Sequence, residues 1–301
     1  MPDRVRITDV SPRDGLQNEP AVIPATQKAA LCRLLFASGV DEVEVSSFVS
    51  AKWVPQLGDA AEVFALLSEA KDAPLLSALV PNEKGLEAAL DVNRQAGRAI
   101  LGKVSVFTAA SETFTRRNTN ATIAETLARF VPVVRRAREA GLLVRGYVSC
   151  AIACPFEGPI SPEGVVRVCR GLADLGVDEL DLGDTIGAGT PDSVAALLGA
   201  VGVRWPLNGV SPAITLHLHD TFGRASSCIA RALALGVRSF DGSAAGLGGC
   251  PYASTPDKHA PGNISTETLV RTIRSAGYEC RVDDAGLAKA AAFAADLVGR
   301  G

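Results

Sequence analysis

The sequence predicts a (β/α)8 TIM barrel, a ring of eight parallel strands each followed by a helix, with additional C-terminal helices. Three observations predict it. Eight short apolar, β-branched runs alternate with longer Ala- and Leu-rich runs of helical period along the whole chain. The junction from helix to strand repeats one phrase, a glycine between a helix end and an apolar run, in Ser38-Gly39-Val40, Ala140-Gly141-Leu142, Leu175-Gly176-Val177, Leu235-Gly236-Val237 and Ala276-Gly277-Tyr278. Finally, 301 residues suit one such barrel with an extra helix or two. Crossover helices require parallel strands, and closing the sheet removes its edges.

Taken in order, the strands are expected at 5–10, 42–45, 75–79, 103–107, 144–149, 179–182, 214–218 and 239–243, where apolar residues run continuously or alternate. Helices are expected between them at 26–38, 59–70, 83–95, 123–140, 162–175, 191–203 and 222–235. Two more follow the eighth strand, at 266–276 and 284–298. No linker interrupts the pattern, so residues 1–301 read as one domain, with segment 246–263 as a loop covering the strand ends.

Composition narrows the function. Hydrophobic residues make up 47%, charged residues 21%, and mean hydropathy is +0.20, which describes a chain able to bury a large core. Net charge is −3 with no long block of either sign, which gives no footprint for nucleic acid. No apolar run approaches the roughly 18 residues of a membrane span, and the first residues carry neither a signal-peptide core nor a transit segment, so a cytoplasmic protein is expected. Seven scattered cysteines fit reduced thiols; Cys150 and Cys154 have no second pair at zinc-site spacing and read as small buried hydrophobes.

The chemistry is expected where the strands end. The seventh expected strand ends in His217-Leu218-His219-Asp220-Thr221. Successive strand side chains point to opposite faces, so His217 and His219 share one face, about 7 Å apart along the backbone. Two imidazoles so placed can converge on one divalent cation and leave room for oxygen ligands. The first strand is followed by Arg13-Asp14-Gly15, where Asp14 offers a hard oxygen and Arg13 a permanent cation for a developing oxyanion. Glu44, near the end of the second strand, can orient Arg13 or relay protons. After the fourth come Ser111, Glu112, Arg116 and Arg117 in an expected loop, and after the sixth come Asp184 and Thr185, with Asp181 opposite in face to Leu182. The eighth leads to a Gly-rich turn carrying Cys250, a thiol suited to gated acid–base or nucleophilic chemistry.

These residues fall within longer motifs. Arg13-Asp14-Gly15-Leu16-Gln17-Asn18-Glu19, Lys52-Trp53-Val54-Pro55-Gln56, Gly146-Tyr147-Val148-Ser149-Cys150, Leu182-Gly183-Asp184-Thr185-Ile186-Gly187, His217-x-His219-Asp220-Thr221 and Gly246-Leu247-Gly248-Gly249-Cys250-Pro251-Tyr252-Ala253 occur in that order over nearly the whole chain. The chain thereby resembles the 3-hydroxy-3-methylglutaryl-CoA lyase family. The resemblance implies Asp14, His217, His219 and Asn263 as ligands of Mg²⁺ or Mn²⁺, with Zn²⁺ also tolerated by two imidazoles. It implies Arg13, Glu44, Asp184, His217 and Cys250 as the catalytic set. Arg13, Ser111, Tyr147, Asp181 and Thr185 are expected to face an acyl-CoA substrate. His217 would take the C3 hydroxyl proton, Arg13 would stabilise the thioester enolate, and Cys250 would return a proton to carbon.

Three features depart from the family pattern: a longer segment from Cys250 to Asn263 with Ala260-Pro261 in it, an aspartate at 181 where serine is expected, and Pro20 after Asn18-Glu19. An added carboxylate beside an anionic substrate alters selectivity, so a related 3-hydroxyacyl-CoA with another C3 substituent is a second reading. A Claisen-type synthase on the same barrel and a non-catalytic acyl-CoA-binding protein are the others; the joint presence of acid, base and metal ligands speaks against the last. Apolar stripes on the outer helices are compatible with a homodimer or higher homo-oligomer.

Overall fold

The computed structural model describes residues 4–202, 213–248 and 262–299. Its eight parallel strands are β1 (Arg6–Asp9), β2 (Glu42–Ser47), β3 (Leu75–Leu79), β4 (Lys103–Ala109), β5 (Leu143–Ser149), β6 (Glu179–Asp184), β7 (Ala213–Leu218) and β8 (Ser239–Gly242). They close into a barrel, β1 pairing with both β2 and β8. All eight lie where the sequence places them. The helices around it are α1 (Ala25–Ser38), α2 (Ala60–Leu67), α3 (Glu83–Ala96), α4 (Glu112–Thr119), α5 (Ile123–Glu139), α6 (Pro162–Leu175), α7 (Pro191–Val201), α8 (Ala225–Ala234), α9 (Thr266–Ser275) and α10 (Asp284–Leu297). The five junction glycines, 39, 141, 176, 236 and 277, all adopt positive φ between 76° and 101°, as left-handed helix ends require.

Two elements differ from expectation. Residues 112–119 form a helix rather than a loop: Ser111 caps it by accepting from the Phe114 backbone N–H at 3.0 Å. Its sequence, ETFTRRNT, is too polar to show a helical stripe, since only Phe114 and Thr115 are buried. The segment after β1 winds into a single π-helical turn, Ser11–Gly15, in which the N–H groups of Asp14 and Gly15 both point to the Val10 carbonyl.

The core lies between the strands' outer faces and the helices, where Ile7, Val43, Val45, Val104, Val106, Val144, Leu180, Leu182 and Leu216 are buried. The barrel interior is instead polar. Lys103 bonds Glu42 and Glu179, the latter at 2.6 Å, and Arg145 bonds Glu179 at 2.8 Å. These four side chains close the floor of the barrel on the side of the strands' N-termini. α9 takes the position of the eighth crossover helix beside α8, and α10 packs on α1 as the addition. Strand pairing extends below β1, where Val5 N–H donates to the Glu279 carbonyl at 2.8 Å. Of the expected covering loop, residues 249–261, Cys250 included, lie outside the described residues.

Candidate active site and metal centre

Above this ionic floor the inward side chains change from structural pairs to a potential ligand set. On β7 the alternation of buried apolar residues, Ile214, Leu216 and Leu218, leaves Thr215 and His217 pointing inward, and His219 follows at the strand end. The His217 and His219 Nε2 atoms come to 3.3 Å. Across the barrel mouth the π-turn delivers Asp14, so one oxygen of Asp14 and one nitrogen of each histidine all lie within 4.8 Å of one another. Asn263 reaches the same point because residues 262–264 pair beside the end of β7: Ile264 N–H donates to the Leu218 carbonyl at 3.0 Å. The Asn263 amide then donates to Asp14 Oδ2 at 2.8 Å and to the Leu247 carbonyl at 3.0 Å.

The protonation of Asp14 and His219 favours a cation. Burial and the neighbouring His217 lower His219 to about 4, which leaves it a neutral ring with a lone pair. Burial acts to raise Asp14, but Arg13 and the histidines outweigh it and hold the carboxylate ionised. His217 is raised: burial works against its charge and is outweighed by a hydrogen bond to Asp241 and the charges of Asp14 and Asp241. Its Nδ1 lies 3.2 Å from Asp241 Oδ2. Because Asp241 is itself held ionised, Arg145 and His217 overcoming its burial, Nδ1 carries a hydrogen, and when the ring is neutral its lone pair sits on Nε2. Two ring nitrogens converging to 3.3 Å beside a carboxylate fit a divalent cation, as does the mixed oxygen and nitrogen donor set.

Arg13 forms the second half of the site. Its Nε donates to Glu44 Oε2 at 2.6 Å, its Nη1 to Asp14 Oδ1 at 2.5 Å, and its guanidinium lies 5.4 Å from the Tyr147 ring centre. Glu44 is completed by Ser105 at 2.9 Å and the Tyr147 hydroxyl at 3.1 Å. Burial, with Glu44 and Asp241 alongside, keeps that phenol protonated. A buried guanidinium fixed on three sides beside a cation site is a preorganised group for an oxyanion.

The structure thus joins Arg13, Asp14, Glu44, Tyr147, His217, His219 and Asn263 in one contact network. Asp181 lies deeper, fully buried, 3.3 Å from Arg145 and against Asp241, and burial with that neighbour raises it so that it holds a proton. The remaining expected residues make their described bonds within and between the strand-end loops. Asp184 accepts from Ala188 N–H at 3.0 Å and Gly189 N–H at 2.8 Å, and burial, against those bonds, raises it to about 6. Thr185 Oγ1 accepts from Cys150 N–H at 2.8 Å, and Ser111 caps α4. Sequence reasoning missed Arg145 and Asp241. Alternation in Val144-Arg145-Gly146-Tyr147 and Phe240-Asp241-Gly242 could have set both on an inward face, but not named their partners on other strands.

Comparison with known proteins shows the family of the chain. The HMGL-like family model matches residues 4–294. The chain is 44% identical over 279 residues to the hydroxymethylglutaryl-CoA lyase of Pseudomonas mevalonii, covering 93% of this chain and 87% of that one. It is 43% identical over 283 residues to a 3-hydroxy-3-isohexenylglutaryl-CoA/hydroxymethylglutaryl-CoA lyase of Pseudomonas aeruginosa, covering 94% and 89%. The crystal structure of the HMG-CoA lyase from Brucella melitensis superposes with a TM-score of 0.89 at 42% identity, covering 99% of each chain.

Proposed function

We propose, from the premise that this chain belongs to the HMGL-like family, that it is a divalent-metal-dependent lyase cleaving 3-hydroxy-3-methylglutaryl-CoA to acetyl-CoA and acetoacetate. The observation that carries the reading is the juxtaposition of a potential cation site, Asp14, His217 and His219, with a buried and fully oriented Arg13 bonded to one of those ligands. The reaction needs both. The C3 hydroxyl must lose its proton, the C2–C3 bond must break, and the acetyl-CoA enolate that departs must be stabilised and then protonated.

Asp14, His217, His219 and Asn263 would hold Mg²⁺ or Mn²⁺, with Zn²⁺ compatible with the two imidazoles, and the ion would supply a Lewis acid that lowers the hydroxyl pKa. Arg13 offers its guanidinium to the thioester oxygen, where negative charge develops as the carbon–carbon bond opens. Glu44 and Tyr147 keep that guanidinium from turning away. The hydroxyl proton goes to His217 Nε2, the one lone pair that ring presents. Ligation and proton acceptance would both call on this nitrogen. Cys250, outside the described residues, keeps the role of carbon proton donor that the resemblance implies.

Identity to the two named relatives is almost equal, 44% and 43%, and the second is named for two C3 substituents. The substituent is therefore tested directly: purified protein with Mn²⁺ is given equimolar 3-hydroxy-3-methylglutaryl-CoA and 3-hydroxy-3-isohexenylglutaryl-CoA, and the products are read by mass spectrometry. Acetoacetate as the main 3-oxo acid supports the methyl substrate. Predominant release of the isohexenyl 3-oxo acid replaces it, and release of neither removes the lyase reading.

A further inference from the structure

We propose that Arg145 is the positioning residue that ties the two halves of this site together, aligning the His217 imidazole through one arm and the Arg13 guanidinium through another. The inference rests on the lyase reading of the site and adds to it a residue that touches no reacting atom: the Arg145 side chain is 1% exposed.

A guanidinium is a planar fork whose two terminal nitrogens can serve different partners. Nη2 faces the barrel floor, 2.8 Å from Glu179 Oε1 and 3.0 Å from Thr8 Oγ1. Nη1 faces the site, 3.1 Å from Asp241 Oδ1 and 3.1 Å from the Tyr147 hydroxyl. From there the two arms diverge. Asp241 uses Oδ2 to fix His217 Nδ1 at 3.2 Å, which sets the ring's tautomer and aims Nε2 at the cation site. Tyr147 passes its hydroxyl hydrogen to Glu44 Oε2 at 3.1 Å, and Glu44 holds Arg13 Nε at 2.6 Å. One side chain anchored in the floor therefore orients both a ligand and the oxyanion group. A lysine has a single donor centre and cannot span floor, Asp241 and Tyr147 at once. Asp181, 3.3 Å from the same Nη1, adds a second carboxyl to this end of the fork.

The arms are separable by substitution, so the test reads Mn²⁺ affinity by calorimetry alongside kcat, KM and the thermal midpoint for Arg145→Lys, Arg145→Met, Asp241→Asn and Tyr147→Phe. Asp241→Asn should weaken Mn²⁺ binding about 10–100-fold, the usual effect of losing a partner that orients a ligand. Tyr147→Phe should lower kcat at least about tenfold and weaken Mn²⁺ binding far less than Asp241→Asn, since its hydroxyl bonds Glu44 at 3.1 Å and approaches Asp241 Oδ2 only at 3.5 Å. Arg145→Lys should show both losses, although it keeps the charge. Folded Arg145 variants with Mn²⁺ affinity and kcat within twofold of the parent would overturn the proposal. So would a Tyr147→Phe protein that loses Mn²⁺ affinity as severely as Asp241→Asn, because the arms would then not be distinct. If the Arg145 variants do not fold, the contrast between the two single-arm variants decides. If the parent protein shows no turnover, the lyase reading fails, while the Mn²⁺ affinities of Arg145→Lys and Asp241→Asn still decide the positioning role.

Discussion

His217 offers the site a single lone pair, and the proposed chemistry gives that pair two duties. Replacing the ring separates them: His217→Asn should weaken Mn²⁺ binding by at least about tenfold if Nε2 is a ligand, with turnover lost as well. Unchanged Mn²⁺ affinity with lost turnover would make the residue a base alone. Arg13→Ala is expected to behave differently, reducing kcat by about 100-fold or more while Mn²⁺ still binds, because Asp14 keeps its bond from Asn263. Equal loss of affinity and turnover would contradict that role. At this scale the histidine pair, Asp14 and Arg13 were legible because strand alternation and strand-end position need only the local sequence. Arg145 and Asp241 were not, since a charge inside a strand gains meaning only when its partners arrive from other strands, here Glu179 on β6 and His217 on β7.

The π-turn after β1 is the element that makes the site possible, since it presents Arg13 and Asp14 together. It is pinned from behind by Asp9, whose Oδ1 accepts from the Ser11 N–H at 2.9 Å and whose Oδ2 accepts from Thr266 of α9 at 2.6 Å. Burial raises Asp9 to about 6 against those hydrogen bonds. An acid whose folded pKa exceeds its unfolded one stabilises the fold least above both values, so this carboxyl's contribution falls as pH rises from about 4 to about 6. The total is at most about 3 kcal/mol. Asp9→Asn should remove that portion of the pH slope, measured by urea unfolding at pH 4.5 and 7; an unchanged slope would place the titration elsewhere. From the other side, Gly248 adopts φ +92°, and a Cβ there would stand 2.7 Å from Asn263 Nδ2. Gly248→Ala is expected to cost about 1–3 kcal/mol and to weaken Mn²⁺ binding by displacing Asn263, whereas parental affinity would show that Asn263 is not needed. None of this was readable in advance: the turn's geometry is set by contacts with α9 and residues 247–248, remote in sequence. Helix α4 escaped for the opposite reason, a local one, because its polar sequence carries no apolar stripe.

For the molecule as a whole, the repeat of strand, helix and glycine made the barrel legible, because closure follows from eight equivalent units rather than from any one contact. The barrel's contents were not. Lys103 is buried between Glu42 and Glu179, and Glu179 in turn holds Arg145, so the floor of the barrel is also the base on which the site is oriented. Lys103→Met should leave Glu42 and Glu179 with one buried cation, Arg145, between them and cost about 3–5 kcal/mol in urea unfolding, and an unchanged midpoint would show the floor to be dispensable. No helix among the described residues is long and apolar enough to cross a membrane. The central claim, that the cation site and Arg13 act together as a lyase, is tested most directly by stripping the protein with EDTA and restoring Mn²⁺ in steps with 3-hydroxy-3-methylglutaryl-CoA present, while counting both products. The expected result is no turnover in the stripped protein, acetyl-CoA and acetoacetate released one for one, and a rate that saturates near one ion per chain. Full activity without metal, or a CoA product with no matching acetoacetate, would contradict it.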